Sequence, residues 1–230
     1  MADIFFEKLG IEAPDYNLKV GSGLHGEMTA KIMIEFEKLM MEIKPDIVLV
    51  YGDTNTTLAG ALVAAKLKLP LAHVEAGVRM LPKDMPEEIN RTLTDRVSNL
   101  LFCPSELTVR NLAKEGIVDG VHFTGDVTYD LYLQSKDHFD YSLYESMGLD
   151  DGKYILVTLH RDYNVDDKER FGEILKALSE LAKEKRVIFP IHPRSRKRID
   201  EFGYKEYIKD IDILETIDYL SLMGLLEHCE

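Results

Sequence analysis

Residues 73–91, HVEAGVRMLPKDMPEEINR, hold four carboxylates, two arginines and a histidine within nineteen positions. Such a set suits proton transfer: a base removes a proton, an acid assists a leaving group, and a cation steadies the charge that develops. Asp53 after DIVLVYG, His160 after YILVTL and His192 after VIFPI add three more capable side chains. With Glu75 after LAHV, each follows a short apolar run that reads as a strand. Doubly wound sheets bind ligands beyond the carboxyl ends of their strands, so four such residues point to one cleft.

Each of these residues also has a plain structural account. Asp53 heads the cluster Thr54, Asn55, Thr56 and Thr57, side chains that cap helices. His73 and Glu75 would share one face of an extended strand, and Glu75 could pair with Arg79. Glu87 and Glu88 fall in a first helical turn, where the helix dipole favours negative charge. Arg91 lies four residues beyond Glu87 and could pair with it on the helix surface. This account suffices for Glu88. In the second half, Arg161, Arg194, Arg196, Lys197 and Arg198 form a cationic rim suited to a diphosphate, although Lys197 and Arg198 also fit a solvated helix.

The elements that position these residues alternate. Residues 3–10 read as the tail of a helix stopped by Gly10, and residues 27–43 as an amphipathic helix. DIVLVYG is a branched, nearly all-apolar run, expected to be a strand covered on both faces. A small-residue helix, the strand LAHV and a helix with Pro86 in its first turn follow. LLFC, a helix over 106–114, VHFTG and a helix near 128–134 continue the pattern. KDHFDYSLYESMGLDDGK, residues 136–153, is polar and reads as a linker. Then come YILVTLH, a helix over about 167–184, VIFPIH, a short basic helix, DIDILE and a last helix. This order predicts an α/β protein with two Rossmann-like parallel-sheet domains, 1–145 and 146–230, facing each other across a cleft. Both ends read as cut, the first before an opening strand and the second after a helix.

Apolar residues make up 45% of the 230 and charged residues 30%, enough for a buried core. A net charge of −13 argues against nucleic-acid binding but leaves room for a phosphorylated small molecule held by local arginines. Cys103 and Cys229 read as thiols of a cytosolic protein, and no apolar run approaches a membrane span. GSGLHG, residues 21–26, matches the dinucleotide fingerprint by letter, but PDYNLKV before it is a poor strand. No phosphate loop, paired-cysteine zinc pattern or nucleophile-elbow serine is present, so neither a cofactor nor a metal is expected.

VYGDTNTTLAGALVAAKLKLPLAHVEAGVR, MPEEINRTLTD, FCPSE, HFTGDVTYD, TLHR and PIHPR, in this order, resemble the non-hydrolysing UDP-N-acetylglucosamine 2-epimerases. HVEAG followed by PEEINR separates this group from its hydrolysing relatives, and GDTNTT resembles the archaeal and related bacterial branch. The resemblance implies a glycosyltransferase-B type fold, incomplete at both termini, that interconverts UDP-GlcNAc and UDP-ManNAc without a redox cofactor. In that chemistry a proton leaves C2 as UDP departs from C1, and UDP re-adds to a 2-acetamidoglucal intermediate. The resemblance assigns catalytic roles to Asp53, Glu75, Glu87 and His160. It places Arg79, Arg161, His192, Ile217 and Leu222 at the substrate, with Ile217 to Leu222 matching the uracil pocket. It also implies a homodimer. Tyr163 departs from the glutamate many members carry, and an arginine loop before Met1 and a Ser-Gly-Gly loop after Glu230 are missing. The expectation is therefore a fragment with little activity by itself. A non-catalytic UDP-sugar-binding fragment or subunit, and a glycosyltransferase of the same fold, are the alternatives.

Overall fold

The computed structural model describes residues 12–230 apart from Ser22, Pro82 and Thr216, so the helix tail expected over residues 3–10 lies outside the described residues. The described chain divides into two compact units, Pro14–Leu133 and Gln134–Glu230, with residues 12–13 grouped with the latter.

The first unit carries a four-stranded parallel sheet in the order β1 (Val48–Tyr51), β2 (Leu71–Val74), β3 (Leu100–Cys103), β4 (Val121–Phe123). Helices α1 (His25–Ile43), α2 (Asn55–Lys66), α3 (Pro86–Val97), α4 (Glu106–Lys114) and α5 (Val127–Ser135) alternate with these strands. Small side chains let α2 pack tightly: Ala59, Ala61 and Ala64 are fully buried. Gly60 leaves no room to spare, because a Cβ there would lie 3.3 Å from Val50. Ser105 opens α4 with a reciprocal capping box to Thr108. β1 departs from expectation. It is an edge strand, and only Val48 and Val50 are buried while Leu49 and Tyr51 stay exposed. Its near-continuous apolar run therefore does not mark a strand covered on both faces. Apart from Ser22, residues 12–24 contain no strand, so GSGLHG lacks the element a dinucleotide site requires.

The second unit carries a three-stranded parallel sheet in the order β5 (Tyr154–Leu156), β6 (Arg186–Pro190), β7 (Asp212–Leu214). Its helices are α6 (Ser142–Ser146), α7 (Asp162–Val165), α8 (Lys168–Leu181), α9 (Pro193–Phe202) and α10 (Tyr219–Glu227). β6 is central and covered on both faces, and its alternation divides the core. Val187 and Phe189 join Phe171, Leu175 and Ile199 on one side, while Ile188 joins Tyr154, Leu149 and Leu225 on the other.

The segment expected to be a linker is instead built into this unit. Phe139 and Leu149 are buried, and Leu143, Tyr144 and Met147 pack on the Tyr154 cluster. Ser221 donates to Asp140 at 3.1 Å and Tyr141 to Glu227 at 2.5 Å, which ties residues 140 and 141 to α10. The apolar residues lie between polar ones at spacings too irregular to read as one helix, so composition hid their burial. Among the described residues no helix is long and apolar enough to cross a membrane.

Phe171 is completely buried at the centre of the second core. Phe171→Ala is expected to lower stability by about 3–5 kcal/mol, against less than about 0.5 kcal/mol for a change at exposed Leu226. Urea unfolding followed by circular dichroism measures both.

Candidate active site

The turn after β1 is built to leave Asp53 uncommitted as a cap. Gly52 takes a left-handed conformation at φ 65°, and Thr54 rather than Asp53 caps α2 by accepting from the Thr57 amide at 3.3 Å. Thr57 in turn donates its hydroxyl to the Tyr51 carbonyl at 2.5 Å. The Asp53 carboxylate takes the Arg91 guanidinium, and its carbonyl accepts from the Asn90 side chain at 2.9 Å. Both partners come from α3, and both are buried.

Arg91 does not pair with Glu87. Its other nitrogen donates to Glu88 at 3.2 Å, and the same Glu88 oxygen accepts from the Met80 amide at 3.0 Å. The inward face of α3 therefore carries Glu88 and Arg91, spaced i,i+3, and both are only 5% exposed. Glu88 is thus a buried anchor, a role that its place in the first helical turn did not reveal. Glu87 is half-buried in the same turn and makes no side-chain hydrogen bond or ion pair among the described residues.

Glu75 lies just past β2, not in it. Its backbone is left-handed at φ 74°, and its amide and that of Ala76 both reach the Phe102 carbonyl at 3.1 Å. A non-glycine residue there costs about 1–2 kcal/mol. The strand argument that placed His73 and Glu75 on one face therefore fails: His73 is sealed in the sheet, while Glu75 turns out to an exposed position. A Cβ at Gly52 would stand 3.5 Å from the Glu75 carboxylate, an ordinary contact, so the left-handed backbone and not space is what favours glycine there.

Neighbouring protein strips part of the hydration of the Glu75 carboxyl and raises its pKa above the ordinary glutamate value. The nearby charges of Asp53 and Asp126 raise it further, while Arg91 and His73 act in the opposite direction. Asp126, at the start of α5, has no role assigned from sequence. Only its place in HFTGDVTYD marked it, and its nearness to Glu75 depends on the fold.

Arg79 does not pair with Glu75 either. Its guanidinium forms two 2.7 Å bonds to Glu115 and one of 2.8 Å to Asp95, tying the loop after β2 to α3 and to the end of α4. Those partners hold its pKa above the usual arginine value, although burial works against them. A cavity of about 700 Å³ opens beside Arg79, Met80, Leu81, Ile89 and Leu93, but neither Asp53 nor Glu75 lines it.

In the second unit β5 ends at Leu156, so His160 stands on a loop four residues beyond the strand. The His160 and His192 rings face each other at 5.5 Å. Burial lowers the His160 pKa, and His192 and Arg161 lower it further. His192 caps α9: its Nδ1 accepts from the Arg194 amide at 3.1 Å. Arg161 is exposed, and its side chain makes no hydrogen bond or ion pair among the described residues. Arg194 and Arg198 are committed to Asp166, whose pKa they hold down at about 2, and Arg196 bonds Glu215 at 2.8 Å. The cationic rim is thus largely paired within its own unit. Ile217 packs against the Tyr154 cluster, and Leu222 is half-buried on α10. Among the described residues no three histidine, cysteine or acidic side chains converge as metal ligands.

Two parallel-sheet units, with carboxylates gathered at the strand ends of the first and histidines beyond those of the second, define an α/β protein of the glycosyltransferase-B type. The family model described as UDP-N-acetylglucosamine 2-epimerase matches residues 1–230, and the chain belongs to that family. It is 46% identical over 241 residues to the UDP-N-acetylglucosamine 2-epimerase of Methanocaldococcus jannaschii, matching 100% of this chain and 66% of that protein. It is 44% identical to the UDP-2,3-diacetamido-2,3-dideoxy-D-glucuronate 2-epimerase of Pseudomonas aeruginosa, over 99% of this chain and 64% of that one. The crystal structure of the M. jannaschii enzyme in complex with UDP-GlcNAc and UDP superposes with a TM-score of 0.90 at 44% identity, covering 99% of this chain and 65% of that one. The chain therefore spans a little under two thirds of the length of the curated relatives it matches.

Because the folded state favours the protonated form of Glu75, the stability this gives is full below the ordinary glutamate value and is lost as pH rises through the raised one. Glu75→Gln is therefore expected to match the parent in acid and exceed it in stability at neutral pH. Urea midpoints measured across pH check this.

Proposed function

We propose that the chain serves the 2-epimerisation of a UDP-linked 2-acetamido sugar, interconverting UDP-GlcNAc and UDP-ManNAc. The observation that carries the reading is the pair at the mouth of the first sheet. Asp53 is held by Arg91, while Glu75 has no cation within hydrogen-bond reach among the described residues and a raised proton affinity. Two carboxylates in unlike surroundings suit removal of a proton from one face of a carbon and its return on the other.

In the proposed reaction the C2 proton leaves as the C1–O bond to UDP breaks, giving 2-acetamidoglucal. UDP then re-adds at C1 while C2 takes a proton on the opposite face. Asp53 and Glu75 exchange protons with C2, with Glu87 as a third acid–base group. His160 and Arg161 stabilise the diphosphate, and His192 stands with them. Arg79 supports this site through the loop after β2, and Ile217 and Leu222 contribute to the uracil pocket. The reaction is redox-neutral, because the proton leaves and returns to one carbon. We place it in the cytosol, in a homodimer.

The P. aeruginosa relative, at nearly the same identity as the M. jannaschii one, is named for a different UDP-sugar. This supports chemistry at C2 more than any single sugar.

The test follows UDP-GlcNAc by NMR in deuterium oxide, with the chain alone and with the chain joined to the parts of the M. jannaschii relative that it does not match. Deuterium at C2 of both epimers is expected in the joined form, and Asp53→Asn or Glu75→Gln should slow its entry by about 10²–10⁴-fold. A UDP-sugar bound by both forms without deuterium at C2 would leave a binding protein. Transfer of the sugar without exchange would leave a glycosyltransferase.

A further inference from the structure

We infer that His73 is a buried imidazolium that acts as a positioning residue, holding the Gly52 carbonyl and through it the Asp53 turn beside Glu75. The functional half of this inference rests on the reading of Asp53 and Glu75 given above, whereas the charge of His73 does not.

His73 sits mid-sheet, in register with Val50 on β1 and Leu101 on β3, and it is fully buried. Its Nε2 lies 2.8 Å from the Gly52 carbonyl oxygen and its Nδ1 lies 2.7 Å from Asp95 Oδ1. A carbonyl only accepts, and so does a carboxylate. A neutral imidazole has one donor and one acceptor nitrogen, so one of these contacts would set lone pair against lone pair in a site without water access. One additional proton resolves it.

The other Asp95 oxygen decides where that proton sits. Oδ2 accepts from the Gly77 amide at 3.1 Å and from the Arg79 guanidinium at 2.8 Å. Every contact of this carboxylate is thus with a nitrogen donor, two at Oδ2 and the ring Nδ1 at Oδ1, so the hydrogen-bond geometry places the proton on the histidine. The charges then balance: Asp95 and Glu115 face His73 and Arg79. A neutral histidine would leave this group, sealed at His73 and Asp95 and partly exposed at Arg79 and Glu115, with an excess negative charge. Around it, Arg91 pairs with two carboxylates, Asp53 and Glu88, which leaves one negative charge in excess there, and burial raises the pKa of the Cys103 thiol on β3.

The arrangement has two consequences for the site. The carbonyl held by His73 belongs to the residue before Asp53, so the imidazolium and the Asn90–Arg91 pair clamp the same turn from two sides. The positive charge also opposes the crowding of Glu75 by Asp53 and Asp126.

The chain labelled with ¹⁵N tests this directly through long-range correlations from the imidazole C–H protons. At about pH 8, where an ordinary histidine is neutral, both His73 nitrogens are expected to carry protons. One protonated and one bare nitrogen would overturn the inference. His73→Gln keeps a donor for the Gly52 carbonyl but removes the charge. In it the ¹³C titration of the Glu75 carboxyl is expected to move to higher pH, and an unmoved midpoint would count against the electrostatic role. Where that variant does not fold, the nitrogen spectrum of the parent decides alone. In the deuterium-exchange assay the same variant should shift the acid limb of the pH–rate profile upward. Failure of the epimerase reading would leave the nitrogen result untouched.

Discussion

A guanidinium buried with two carboxylates organises the first unit. Arg91 can lie inside the protein only because buried Glu88 and half-buried Asp53 offset its charge and accept its hydrogen bonds. Its partners lie on different elements, the turn after β1 and the first turn of α3, so the ion pairs fix the distance between sheet and helix where a ligand would sit. Asn90 adds a neutral bond to the same turn, and Glu88 extends the network to the Met80 amide. The buried charge costs stability unless every partner is present, which makes the arrangement all-or-none. Such a network places a carboxylate more firmly than packing alone.

Glu75 shows what the network leaves over. It occupies a left-handed backbone conformation, lacks a cation at hydrogen-bond distance and sits near two other carboxylates. A sequence selected for stability alone would remove each of these features. Their coexistence at the end of a well-packed strand is the pattern expected where function sets the residue. The second unit handles charge differently. Its arginines are mostly tied to their own acids, and His192 is fixed by the helix it caps. Arg161 remains the exposed cation beside the two histidines.

The alternation of elements was legible because two physical periods differ so clearly. VIF is apolar at three successive positions and buried at each, as suits a central strand, and Phe171 and Leu175 recur at helical spacing on α8. Asp53 and Glu75 were legible from their place at strand ends. The rest depended on facts that spacing does not carry. Which of two adjacent glutamates turns inward is set by the rotation of α3, so spacing alone did not show that Glu88 is the one that buries. The left-handed turn at Glu75 depends on the Phe102 carbonyl from β3, and the approach of Asp126 depends on four strands lying side by side. Asp95 lies twenty-two residues from His73 in an unremarkable helical sequence, and only the folded sheet makes it the partner of a buried ring. The helix α6 escaped notice because its apolar residues fit no single period.

The central claim is that the contact between buried Arg91 and half-buried Asp53 is a strongly coupled pair that holds the site open in one geometry. A double-mutant cycle with Asp53→Asn, Arg91→Met and both together, read by urea unfolding, measures that coupling. A coupling energy of about 1.5 kcal/mol or more is expected. Changes that add to within about 0.5 kcal/mol would contradict the account, because the two side chains would then be independent surface groups.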